Sequence, residues 1–137
     1  MRISVEPGAY PLTRAHPNDA GLDIRAQYNQ VVPPRGSAVF HTGVHVEIPE
    51  GYCGKIESKS GLNVRSDIIT TGVVDRGFSG SILVKLYNLG TKEYRVSAGE
   101  KIAQLVLERI STEDIEIVPE IKGGERGASG FGSSGKF

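Results

Sequence analysis

A surplus of charge of either sign is missing from this 137-residue chain, in which 16 Lys and Arg balance 16 Asp and Glu. Without a net positive field there is no broad attraction for DNA or RNA polymers, so any anionic partner has to be met locally. Cysteine is almost absent as well. Cys53 stands alone, which excludes an internal disulfide and fits a reducing compartment. No apolar run reaches the roughly 18 residues that a membrane span needs, and no charged-then-apolar leader opens the sequence. The expectation is a cytoplasmic protein, with a nuclear or viral source looking the same. His41 and His45 lie four apart, but with only Cys53 nearby a zinc site lacks ligands, and they are assigned no role.

The last shortage is of helical periodicity, and what replaces it is alternation. The 18 Gly and 7 Pro punctuate short runs with unlike faces, the pattern of an all-β fold. In GVHVEIPEG, Val44, Val46 and Ile48 alternate with His45 and Glu47. In GSILVKLYNLG, Ile82, Val84 and Leu86 alternate with Leu83, Lys85 and Tyr87. AGLDIRA sets Leu22, Ile24 and Ala26 against Asp23 and Arg25, and KIAQLVLERI sets Ala103, Leu105 and Leu107 against Gln104. One helical turn is predicted over Ser60 to Ser66, with Ser60 as its cap and Leu62 pointing inward. The expected fold is a jelly-roll-like β-barrel or sandwich over residues 1–121, followed by a flexible Gly/Ser-rich C-terminal arm over 122–137.

Several polar positions within this framework have a plain reading and a chemical one. Asp23 is either an outward carboxylate on a half-exposed strand or a group turned toward a ligand. SKSGL at 58–62 joins a cation, a hydroxyl and a glycine at a helix start, which is an ordinary capped turn or a phosphate seat. Asp75, in GVVDRGFSG, either forms a turn with its side chain or takes a proton from an attacking water. Phe78 is core or the floor of a pocket, and Gln104 is a surface amide or a ligand donor. Cys53 reads as a small buried hydrophobe.

The end of the chain, RGASGFGSSGKF, satisfies G-x-G-x-x-G and G-x-x-x-x-G-K from Gly130 onward. A phosphate loop needs a strand before it and a helix after it, and here no helix can follow. Arg126 and Phe131, a phosphate-type donor and a lone aromatic among glycines, nevertheless fit a segment that becomes ordered over a nucleotide.

Taken in order, AGLDI at 20–24, SKSGL at 58–62, GVVDRGFSGSILVKLYNLG at 72–90, GEKIAQLVLERI at 99–110 and RGASGFGSSGK at 126–136 resemble the motifs of the trimeric dUTP diphosphatases, or dUTPases. The resemblance implies a homotrimer with active sites shared between chains, hydrolysing dUTP to dUMP and pyrophosphate. Such an enzyme limits uracil incorporation into DNA and supplies dUMP for dTMP synthesis. It implies Asp75 as the general base that primes water against the α-phosphorus. Lys59, Ser60, Gly61 and Gln104 would meet the phosphates, and Phe78 would floor the sugar and exclude a 2′-hydroxyl. The backbone around Ile69, Thr70, Thr71 and Gly72 would read uracil. From the arm, Phe131 would stack on the base while Arg126, Gly132, Ser133 and Ser134 close over the phosphates. Mg²⁺ would be held mainly by phosphate oxygens and waters, with Asp23 touching it through water.

This chain also departs from the family's usual residues. Lys59 stands for a common arginine, Ser58 for proline, Phe78 for tyrosine, Ser129 for glycine and Ser134 for threonine. A cation keeps its charge but loses the bidentate fork. The dCTP deaminases resemble the third motif but place a glutamate in the following strand, where this chain has Lys85. An ammonium cannot act as that carboxylate, so hydrolysis is expected over deamination, and over a third reading as a non-catalytic nucleotide- or protein-binding trimer.

Overall fold

A computed structural model of the chain describes residues 1–125, 127–130 and 135. Its strands, all pairing antiparallel, are β1 (Ile3–Val5), β2 (Gly21–Arg25), β3 (Gln30–Val32), β4 (Ser37–His41), β5 (Val44–Val46), β6 (Tyr52–Ser58), β7 (Ile68–Ile69), β8 (Thr71–Val74), β9 (Leu83–Asn88), β10 (Tyr94–Val96) and β11 (Lys101–Arg109). A short helix, α1 (Ser60–Ser66), interrupts them. One sheet runs β2-β11-β6-β8 and another β4-β9-β7, with β1-β5 and β10-β3 as smaller ladders. The architecture is all-β and jelly-roll-like. Among the described residues no helix is long and apolar enough to cross a membrane.

Alternation positions these strands because one face of each is buried. On β9, Val84, Leu86 and Asn88 are buried while Leu83, Lys85 and Tyr87 are exposed. Phe40, Ile24, Ile68, Ile82, Leu86, Ile102 and Leu105 form the largest part of the core and are all but inaccessible to water. Each such side chain contributes about 1.5–3 kcal/mol of burial. Two of the buried polar side chains are paired within the core, whereas the Thr70 and Ser81 hydroxyls have no hydrogen-bond partner among the described residues. Asn88 donates to the Val32 and Lys92 carbonyls at 3.2 and 2.8 Å and accepts from Gly90 N–H at 2.9 Å. The Thr42 hydroxyl donates to the Ile82 carbonyl at 2.8 Å, which ties the β4–β5 turn to the start of β9.

Two local features differ from the sequence reading. The α1 cap is Lys59, in extended backbone and with no side-chain capping bond, so Ser60 is the first helical residue and its exposed hydroxyl is not a cap. Leu62 packs partly against the core, as expected. On β11 the register slips between Lys101 and Ala103: Lys101 faces Arg25, whereas Ala103 faces Ile24 and Gln104 faces Asp23. This bulge buries both Ile102 and Ala103 and brings Lys101 and Gln104, three residues apart, to the same side of the sheet.

Among the described residues the regular structure ends with β11 at Arg109. Beyond it Ile115, Ile117 and Ile121 are each close to nine-tenths exposed or more, so they add nothing to the core of their own chain.

Candidate functional site

Seven of the expected residues within the described part of the chain gather at two separate clefts. The first, of about 280 Å³, lies beside β2 and β11 and is lined by Asp19, Gly21, Asp23, Lys59, Lys101 and Gln104, with Ala15 and Ala20. Asp23 is buried, its side chain only 7% exposed, between two ammonium groups. Lys59 Nζ lies 2.6 Å from Oδ1, and Lys101 Nζ lies 2.6 Å from Oδ2. Each ammonium has three donors and gives Asp23 no more than part of them, so the remainder are free to meet an anion. Burial acts against the charged carboxyl, but hydrogen bonds and charge from Lys101 and Lys59 outweigh it and hold Asp23 below the ordinary carboxylate range.

A depressed carboxyl contributes stability above its unfolded pKa, which is lost as pH falls through the lower folded value. Asp23→Asn should therefore lower stability near neutral pH by about 1–3 kcal/mol, toward the low end because both ammoniums are partly in water. Urea unfolding followed from neutral to acid pH should show the difference from wild type shrinking as Asp23 protonates. A constant difference would mean that the two ion pairs do not set its charge.

Gln104 completes this cleft. Its side-chain amide donates to the Ser58 carbonyl at 3.1 Å. Its carbonyl oxygen lies over Gly21, where a Cβ would come within 2.2 Å of it, so the backbone of β2 must be glycine for Gln104 to take this position.

The second cleft, of about 340 Å³, opens at the end of β8 and is lined by Thr71, Gly72, Asp75, Phe78, Leu83 and Lys85, with the apolar Ile56, Val73, Val74 and Ile82 and the hydroxyl of Ser81. Asp75 follows buried Val74 and is exposed at the rim. Phe78 is 48% exposed and lines this wall, so it is not part of the core. Its ring lies against the backbone of Gly80, where a Cβ would stand 2.7 Å from Cζ.

Ser58, at the end of β6, connects the two clefts. Its hydroxyl donates to the Thr70 carbonyl at 2.9 Å and accepts from Thr70 N–H at 2.9 Å, while its own carbonyl receives Gln104. A proline at this position could make neither hydroxyl bond. The turn from β7 to β8 is thereby fixed to the end of β6, immediately before Lys59.

Asp23, Lys59 and Gln104 thus share the first cleft, and Thr71, Gly72, Asp75 and Phe78 the second. Ser60, Gly61, Ile69 and Thr70 line neither, and Thr70 is buried. Arg126, Phe131, Gly132, Ser133 and Ser134 lie outside the described residues. Lys101 was not singled out by the sequence. Its position in GEKIAQ, three residues before a motif glutamine, was the available signal, but simple alternation sets it on the opposite face from Gln104.

A metal finds no ready-made seat here. Among the described residues no three His, Cys, Asp or Glu come together. Asp23 has an ammonium on each oxygen, so it fits a holder of lysines better than a metal ligand.

A family model described as dUTPase matches residues 9–135. The mouse deoxyuridine 5'-triphosphate nucleotidohydrolase is 38% identical over 125 residues, covering 90% of this chain and 77% of the relative. The Candida glabrata protein of the same name is 36% identical over 138 residues, with 99% and 95% coverage. Among solved structures, the Staphylococcus bacteriophage 80alpha dUTPase with dUPNHPP superposes with a TM-score of 0.87 at 33% identity, covering 98% of this chain and 97% of that one. A mutant dUTPase from phage phi11 of S. aureus, described with a structural Mg(II) ion, gives 0.81 at 27% identity, with 89% and 98% coverage.

Proposed function

Because this chain belongs to the dUTPase family, we propose that its dUTP hydrolysis runs through Asp75, with the other catalytic donors supplied across a contact between copies of the chain. The observation that carries this reading is the placement of Asp75 on the rim of a cleft with Phe78 in its wall, apart from the Lys59, Lys101 and Gln104 cleft of the same chain.

The base and sugar occupy the Asp75 cleft. Phe78 supports the deoxyribose and leaves no room for a 2′-hydroxyl, and backbone groups of the Ile69–Gly72 turn, held by Ser58, read uracil. The Asp75 carboxylate accepts the proton of a water as its oxygen bonds to the α-phosphorus. The bond from that phosphorus to the α–β bridging oxygen breaks, and pyrophosphate leaves with the electron pair. Charge on the phosphate oxygens is met by Lys59, Lys101, Gln104 and the free hydroxyl of Ser60, groups already oriented before the reaction. Gly61 lets the backbone approach. Arg126, Phe131, Gly132, Ser133 and Ser134 are assigned to closing the site, Phe131 on the base and the others at the phosphates. Mg²⁺ enters this reading as the counter-ion of the triphosphate, and no residue of the chain is assigned to hold it. The biological consequence is less uracil in DNA and a supply of dUMP for dTMP synthesis.

Two observations support a homotrimer with shared sites. The clefts holding the base and the phosphate donors are distinct on one chain, so neither is a whole site. Ile115, Ile117 and Ile121 lie exposed in the segment after β11, and apolar surface of that kind calls for a partner. Residues 1–121 are the barrel domain in this reading and 122–137 the closing arm.

The direct test offers dUTP, dCTP and UTP separately, with Mg²⁺, and measures pyrophosphate and ammonia. Pyrophosphate from dUTP alone is expected. Ammonia from dCTP would assign the chain to deamination, and binding without product would make it a nucleotide-binding protein.

A further inference from the structure

The loop that carries Asp75 and Phe78 is held from outside the nucleotide cleft by a residue to which the sequence assigned nothing. His45, on β5, reaches the loop with one ring nitrogen: Nδ1 lies 2.8 Å from the carbonyl oxygen of Ser79. Its other nitrogen, Nε2, lies 3.0 Å from Oε1 of Glu6, just beyond β1. A carbonyl and a carboxylate only accept, so both ring nitrogens have to donate. Only the imidazolium can do that. In either neutral tautomer one nitrogen turns a lone pair on an oxygen, and one of the two bonds is lost.

The surroundings favour the cation and show what it supports. His45 and Ser79 line a cavity of about 520 Å³ on the far side of the loop, bounded also by Arg2, Glu47, Gly77 and Phe78. Phe78 is therefore a wall shared by this cavity and the Asp75 cleft. Of the other charged groups nearby, Arg2 is engaged with Glu47, and Arg76 on the loop lies 3.8 Å from Glu50. Glu6 is thus the carboxylate paired with His45. Hydrogen bonds from the ring to Ser79 and to Glu6 raise its pKa above the ordinary histidine value. A raised histidine contributes its stabilisation fully below its unfolded pKa and loses it as pH rises through the folded value.

We propose that His45 is a positioning residue for the nucleotide: as an imidazolium clamped between Glu6 and Ser79, it fixes the Asp75–Gly80 loop, so that affinity for dUTP falls when the proton leaves. The inference rests on the dUTP reading for its effect on affinity. The clamp itself does not depend on that reading.

The test follows the His45 imidazole and the Phe78, Ser79 and Gly80 amides by NMR from about pH 5.5 to about pH 8.5, and measures KM and kcat for dUTP over the same range. The three amides should titrate with the midpoint of His45. KM should rise about threefold to tenfold through that midpoint, the effect of losing one solvent-exposed hydrogen bond. His45→Ala should have the higher KM already at the acid end and no inflection there. Glu6→Gln should keep the fold and move the midpoint down toward the ordinary value of about 6.5. Amides that ignore the His45 titration, or a His45→Ala enzyme that keeps the wild-type KM profile, would overturn the proposal. If no dUTP is turned over, the proposed activity fails, and the amide titration alone decides on the clamp.

Discussion

Asp75→Asn is expected to bind dUTP about as well as wild type and to release pyrophosphate at least about a hundredfold more slowly. The substitution keeps the shape of the side chain and removes its ability to accept a proton. Asp75 is exposed at the end of β8 and lies on the rim of its cleft, so the fold should not register the change. Its competing role, a turn-former that bonds nearby backbone, makes the opposite forecast. Asparagine builds such turns as readily as aspartate does, and the variant would then turn over dUTP almost normally. Calorimetry with a non-hydrolysable analogue, beside pyrophosphate release, separates the two. Unchanged melting with retained binding and collapsed turnover assigns proton acceptance to this carboxylate. Near-normal turnover removes Asp75 from the reaction.

Mixing two crippled variants should restore activity. Asp75→Asn damages the base cleft and leaves the lysine cleft whole. Lys59→Met does the reverse, and Asp23 keeps its second partner, Lys101. Alone, the second variant should retain about a tenth of wild-type activity or less, because a preorganised cation at the phosphates is gone. Where each site joins the two clefts from different chains, equal random mixing gives about a quarter of sites with both halves intact. Co-refolded protein should then reach about a quarter of the wild-type rate, well above the average of the two variants. If the mixture shows only that average, each chain completes its own site, and the shared-site reading has to be abandoned.

Much of the fold could be read directly. The buried and exposed faces of β5 and β9 follow their alternating residues, and α1 occupies Ser60 to Ser66 as predicted. These signals are local, and burial of one strand face enforces them. The polar residues around the clefts were legible as motifs, while their connections were not. Nothing in AGLDI shows that two lysines from β11 and from the start of α1 converge on Asp23, because those contacts cross 36 to 78 positions of sequence. The capping role of Lys59 was missed for a different reason. Ser60 has the side chain that caps prefer, but the backbone turns one residue earlier. His45 looked like one more outward residue on an alternating strand. Its meaning depends on two acceptors, Ser79 and Glu6, that only the folded chain brings to its ring.

The extra residue in β11 has a consequence for how this strand tolerates insertions and deletions. Removing Ile102, the one residue between Lys101 and Ala103, would restore a regular ladder with β2 at the cost of a buried core side chain. Lys101 and Gln104, then two positions apart, would share a face by simple alternation, so Lys101 would stay on the side of Asp23. The bulge is therefore the position at which β11 can lose a residue and keep its lysine beside Asp23, whereas a residue inserted between Ala103 and Gln104 would turn Lys101 and Gln104 to opposite faces.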